Sequence, residues 1–289
     1  MKKSYDYIDS SYSPAKDPEV FFQNIGIIYE KSREEVWAAL DERLTEKPAS
    51  GIVIFNSYRL AFGIAAAILL LAGIFSLLRF YTTPISCPAG QHLSYTLPDG
   101  STIEMNADSR MTFNPLWWQF ARKLNFEGEG YFEVQKGKKF EVVSDFGRTV
   151  VLGTSFNIYS RESEYKVTCF TGKVKVISFT SDEAVLSPEY EARVDSDGNI
   201  IVWKDQNAGV SNSWINNMFV FTARPLIQVF NEIGRQYDVT IMFKTKLDYS
   251  YTGYFSKDRP VEEVLTLVCK PFGLTFARIS EKEYDIYQN

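Results

Sequence analysis

The sequence predicts a multidomain membrane protein. Its parts are a short α-helical segment, one transmembrane helix, an all-β domain and a small α/β domain with the order βαβ-βαβ. Three observations carry this reading. Residues 60–78, LAFGIAAAILLLAGIFSLL, form an uncharged run between Arg59 and Arg79. Between residues 87 and 203, short alternating stretches are separated by turn signals spaced roughly ten residues apart. After Asn212 a strand–helix–strand pattern occurs twice, each time with proline at the helix start. The expected boundaries are 1–57, 58–81, 86–204 and 213–289.

Composition narrows the function classes. The 22 Phe and 17 Tyr suit β-rich structure. A net charge of −5 sets up no field for nucleic acid, so no direct nucleic-acid partner is expected. His92 is the single histidine, which excludes a Ser-His-Asp triad or a cluster of histidine ligands. Cys87, Cys169 and Cys269 form no CxxC spacing, so neither a metal site nor a redox motif is expected, and no cofactor. Cys169 alternates with Val167 and Cys269 follows Val268. Both read as small buried hydrophobes, with a disulfide as the alternative.

The N-terminal segment opens with a polar, proline-punctuated stretch. The apolar cluster VFFQNIGII at residues 20–28 reads as either helix or strand. The clearer signal is KSREEVWAALDERL at 31–44. Ser32 with Glu35 has capping-box spacing, and Val36, Trp37, Leu40 and Leu44 share one face. So small a segment buries too little surface to stand alone. That face is expected to pack in a helical hairpin, to lie on the membrane, or to enter the groove of a cytoplasmic partner.

The run at 60–78 follows, with Tyr58, Arg59, Arg79, Phe80 and Tyr81 suited to the bilayer interface. It is too far from Met1 for a signal peptide. Arg43, Lys47 and Arg59 precede it closely, whereas after Arg79 no Lys or Arg occurs until Arg110. This bias places the N-terminus in the cytoplasm and the remainder in the periplasm of a single-pass inner-membrane protein.

In the β region, LPDG at 97–100 between LSYT and STIEM signals a hairpin. Further strands are expected at 123–126, 130–134, 140–144, 149–152, 155–159, 165–170 and 173–179. Trp117 and Trp118 make an unusually apolar loop, either a cover for the β core or a contact for a partner or membrane surface. Asp99, Glu104, Glu127, Glu129 and Glu133 are expected to be solvated strand positions. A paired-carboxylate glycosidase is the alternative reading. No substrate-turning site is expected. In VLGTSFNI, residues 151–158, Gly153 reads as a bulge. Thr154 beside it also makes Gly153–Thr154 a candidate self-cleavage bond, because its hydroxyl can attack the preceding, unshielded carbonyl without a histidine.

In the C-terminal region, strands are expected at MFVF, DVTIMF, YTGYFS, LTFARI and YDIYQ, with helices after Pro225 and Pro260.

Several blocks together resemble the FecR family of inner-membrane anti-sigma regulators, in the form common in Bacteroidota. They are EEVWAAL (34–40), LPDGSTIEMNADSRMTF (97–113), GEGYFEV (128–134), FEVVSDFGRTVVLGTSFNIYS (140–160), VTCFTGKVKV (167–176) and FVFTARPLIQVFNEIGRQYDVTIMF (219–243) with YTGYFS. The spacer between Trp203 and MFVF is longer than the family's. The last block resembles a domain related to the short N-terminal signalling modules of TonB-dependent transporters and secretins. The resemblance implies that the cytoplasmic segment holds an extracytoplasmic-function sigma factor, with Val36, Trp37, Leu40 and Leu44 as candidate contacts. It implies that the external domains sense the signalling domain of an outer-membrane TonB-dependent transporter, through residues not yet identified. It implies too that some members split at a Gly-Thr bond in the LGT block, here Gly153–Thr154. The same parts would also suit a non-signalling envelope scaffold that docks a transporter or secretin.

Overall fold

The computed structural model describes residues 31–45, 57–205 and 208–288. The apolar 20–28 stretch lies outside them. Helix α1 (Arg33–Thr45) starts at the predicted capping box. The Ser32 amide donates to Glu35 Oε2 at 3.0 Å, and the Glu35 amide donates to Ser32 Oγ at 3.2 Å. None of its residues is buried. Helix α2 (Ser57–Phe80) contains a 23-residue stretch long and apolar enough to cross a membrane.

The strands that follow are β1 (Thr83–Cys87), β2 (Leu93–Thr96), β3 (Thr102–Met105), β4 (Ser109–Phe113), β5 (Arg122–Glu133), β6 (Phe140–Ser144) and β7 (Gly147–Val151). Then come β8 (Ser155–Arg161), β9 (Glu164–Cys169), β10 (Val174–Ser178), β11 (Glu183–Leu186), β12 (Tyr190–Val194) and β13 (Ile200–Lys204). They form two sheets with β5 common to both. One runs β1-β4-β5-β6-β7-β10-β11 and the other β2-β3-β5-β8-β9-β12-β13. At the far ends β11 packs back against β12 and β13, so the sheet is nearly closed.

The stretches predicted as separate strands at 123–126 and 130–134 are thus one strand. The first half of β5 pairs with β4 and β6, the second half with β3 and β8. Gly128 marks the change of sheet. Its φ is +115°, and a Cβ there would lie within 2.6 Å of Ser109 Cα. The alternation of β5 sends Leu124, Phe126 and Phe132 into one core with Ile103, Met105, Phe140, Phe156, Ile158 and Val167. Phe132 is fully buried and stacks on Phe156 with centroids 5.0 Å apart. Phe132→Ala is expected to cost about 3–5 kcal/mol by emptying this centre. A urea titration reading a lower midpoint checks it.

The C-terminal part runs β14 (Met218–Pro225), α3 (Leu226–Tyr237), β15 (Thr240–Phe243), β16 (Ser250–Ser256), α4 (Val261–Cys269), β17 (Leu274–Ser280) and β18 (Glu283–Gln288). The two strands of each repeat lie in different sheets. β14 pairs with β16, while β15 runs parallel to β18, which is antiparallel to β17. Leu226, Val229, Phe230 and Ile233 of α3 and Val264, Leu265 and Val268 of α4 fill the core with Phe219, Phe255 and Ile286. Cys87, Cys169 and Cys269 are buried free thiols, so no disulfide joins Cys169 to Cys269. Burial pushes the Cys169 and Cys269 thiols up to about 11.

Candidate functional site

The candidate bond Gly153–Thr154 sits at a corner between sheets. VLGTSFNI spans the end of β7 and the start of β8, strands that belong to different sheets. The expected bulge within one strand is therefore absent, and the glycine turns the chain from sheet to sheet. Its φ is +155°, and a Cβ would stand 2.6 Å from Lys136 Cα. The turn after β5 clamps the corner on both sides. The Val134 amide donates to Thr154 O at 2.9 Å and the Gly137 amide donates to Leu152 O at 2.8 Å. A second turn roofs it, since a Cβ at Gly172 would come within 2.6 Å of Thr154 Cγ2. Nearby hydroxyls are already committed: the Ser155 amide donates to Thr171 Oγ1 at 2.8 Å. Thr154 itself is buried, and its Oγ1 has no hydrogen-bond partner among the described residues. Lys136, Gly137 and Gly172 escaped sequence reasoning because only tertiary pairing brings them to the bond.

A second constellation joins the β domain to the C-terminal part. The Asn106 and Asn157 amides donate to Glu129 at 2.8 and 3.1 Å, and Gln236 Nε2 donates to Asn106 Oδ1 and to Glu232 Oε1. His92 Nε2 donates to Gln236 Oε1 at 3.0 Å and its ring packs edge-on against Trp214. Arg235 pairs with Glu232 at 2.8 Å and crosses to Glu162 at 3.0 Å. The buried Arg161 donates to Ala107 O and Ser109 Oγ. Burial and the neighbouring Glu232 charge push the Glu129 carboxyl up, against Arg161 and the two asparagines. Burial also pushes Glu232 up, but Arg235, Arg161 and the hydrogen bond from Gln236 outweigh it and hold its carboxyl at about 2. Beside this seam lies a cavity of about 410 Å³, bordered by Tyr159, Lys166, Trp203, Trp214, Arg224 and Glu232.

This seam corrects the expectation for the carboxylates. Glu127 and Glu133 are exposed and Glu104 is half-buried, but Glu129 sits in the seam and Asp99 pairs with the buried Arg122 at 2.9 Å. None of these forms a facing acid pair. Burial pushes Asp99 up, and hydrogen bonds from Arg122 and Ser101 more than reverse this. Among the described residues no group of His, Cys, Asp and Glu could hold a metal ion.

The candidate sigma contacts lie together on α1, all exposed, with Trp37 at 60%. The tryptophan pair divides. Trp118 is buried against Phe113 and Phe140, whereas Trp117 packs on Phe75 and under Arg79 of α2.

Two family models match the chain: FecR protein over residues 83–175, and FecR, C-terminal over residues 218–286. A crystal structure of a candidate anti-sigma factor from Parabacteroides distasonis ATCC 8503 superposes with a TM-score of 0.66 at 26% identity, covering 72% of this chain and 100% of its own. A second crystal structure, also of a candidate anti-sigma factor from that organism, gives 0.65 at 25% identity, covering 72% and 99%. No curated protein matches the chain.

Proposed function

The chain belongs to the FecR family, and we propose that it is a single-pass anti-sigma regulator relaying a signal from an outer-membrane TonB-dependent transporter to a cytoplasmic extracytoplasmic-function sigma factor. The observation that carries this reading is the order of parts. A helix that exposes Val36, Trp37, Leu40 and Leu44 among the described residues precedes a membrane-length helix, and both family domains follow it. The positive charges at Arg43, Lys47 and Arg59 favour a cytoplasmic N-terminus, in the inner membrane. Residues 1–57 then meet the sigma factor, while 86–204 and 213–289 face the periplasm. Naming of the structural neighbours as candidate anti-sigma factors favours this regulator over a silent scaffold.

The sigma contact is the exposed α1 face, with Trp37 as its anchor. Trp37→Ala is expected to weaken capture of the cognate sigma factor by residues 1–57 about 30-fold, as for loss of a 2 kcal/mol hot spot. Pull-down titration measures it, with circular dichroism to check that helix content is kept. Undiminished capture by Trp37→Ala, Leu40→Ala would sink the assignment.

The corner at Gly153 supports a single self-cleavage in this regulator. Thr154 Oγ attacks the Gly153 carbonyl carbon, the C–N bond breaks, and the Thr154 nitrogen gains the hydroxyl proton. Water opens the ester to a Gly153 carboxylate and restores the Thr154 hydroxyl. The unpartnered buried hydroxyl and the φ of +155° favour this step.

A further inference from the structure

We propose that the turn at residues 116–120 is a lipid-facing foot, which enters the headgroup region beside the end of α2 and seats the β domain on the bilayer. The inference rests on the reading of α2 as a membrane span.

Depth is the first argument. Trp117 packs edge-on against Phe75 at 5.5 Å between centroids, and Arg79 lies over its ring at 5.6 Å. Phe75 is five residues before the end of α2, or roughly 7–8 Å along the axis. A ring in contact with both Phe75 and Arg79 stands at the level where hydrocarbon gives way to headgroups. Tryptophan is the side chain that favours this level.

Attachment is the second. Asn114 Nδ2 donates to Leu78 O at 2.8 Å and Arg79 O at 3.0 Å, two carbonyls left open at a helix end. Its Oδ1 accepts from the Trp117 amide at 2.9 Å. Trp118 anchors the other side of the turn in the β core. The foot is thus fixed both to the span and to the domain.

Chemistry is the third. Phe120 packs tilted against Trp117, with centroids 4.6 Å apart, yet is 71% exposed, and Leu116 is exposed beside it. Lys138 Nζ reaches the Gln119 carbonyl at 3.5 Å, which puts an ammonium on the flank of the apolar tip. An apolar tip with a cation at its side fits acyl-chain ends and phosphate headgroups together. A protein partner is the less fitting occupant, because the depth is set by α2 itself.

Depth measurement by spin labelling tests this on the full chain in nanodiscs of phosphatidylcholine and phosphatidylglycerol. A label is placed at Phe120→Cys, with Leu116→Cys as a second site. Leu69→Cys reports the middle of α2, and Tyr254→Cys, 77% exposed in the C-terminal part, reports water. The native thiols are all buried, and the unsubstituted chain measures their background. The foot predicts that labels at 120 and 116 are several-fold less accessible to a water-soluble nickel chelate than the label at 254, and more accessible to oxygen. If they match 254 while 69 is deep in lipid, the foot is wrong and the span stands. If 69 is also in water, the span reading itself fails.

Discussion

Thr154→Val is expected to abolish the split into residues 1–153 and 154–289 while leaving the β domain intact, and slightly more stable. The hydroxyl it removes is buried with no partner, and such a group costs about 1–3 kcal/mol. A gain of about 1 kcal/mol corresponds to roughly 2–4 °C in Tm for a domain of this size. Denaturing mass spectrometry follows the fragments, and calorimetry of residues 83–288 follows stability. Gly153→Ala is expected to do the reverse to the fold. Its methyl would stand 2.6 Å from Lys136 Cα at a φ of +155°, which costs about 2 kcal/mol or more. The pair separates the chemistry of Thr154 from the geometry of the corner. An intact chain in both the parent and Thr154→Val would leave Gly153 a structural corner only.

The second large effect belongs to the seam. Arg235→Met is expected to destabilise the two-domain part by about 3 kcal/mol, the low end for stripping one partner from a buried ion pair, because these side chains keep 13–14% of their exposure. It removes the link to Glu162 and leaves Glu232 to Arg161 and Gln236. The same seam sets an acid limit. The carboxyl of Glu232 is lowered from 4.5 to about 2, so its stabilisation is complete above pH 4.5 and lost as pH falls toward 2. Glu129 is raised and works in the opposite sense: its contribution is present below pH 4.5 and lost as pH rises through its folded value. Urea midpoints between pH 2 and 6 for the parent and Glu232→Gln check this. The parent's midpoint should fall with acid more steeply than the variant's. Equal slopes would remove Glu232 from the account.

Local signals were legible in the sequence where their partners are near in the chain. The Ser32–Glu35 box, the LPDG hairpin and the helices after Pro225 and Pro260 all appear where their residue types call for them. The apolar alternation of β5 was legible too, but its continuity through Gly128 was not, because glycine there serves a change of sheet. Glu129 looked like any outward strand position. Its place in the seam depends on Asn106, Asn157 and Glu232, brought together by pairing across distant segments. Gly153 announced an interruption, yet whether it bends one strand or joins two sheets is decided by Lys136 and Gly172. Of the Trp117–Trp118 pair, Trp118 takes the expected role of core cover, whereas Trp117 leaves the β core and packs on α2.

The shared strand β5 gives a cut at Gly153 a mechanical meaning. Strands β1 to β7 would stay with the membrane-attached piece, and β8 to β13 with the C-terminal piece. Their strand ladders would be joined by six residue pairs between β5 and β8 and four between β7 and β10, and the seam bonds of His92 and Asn106 to Gln236 would also bridge the cut. Such a joint is a coupling whose strength depends on the direction of load. Tension along the strands shears all of its hydrogen bonds together, whereas tension across them opens the ladder one rung at a time. A nicked molecule of this kind holds against a pull in one direction and lets go in another, without any further change in its chemistry.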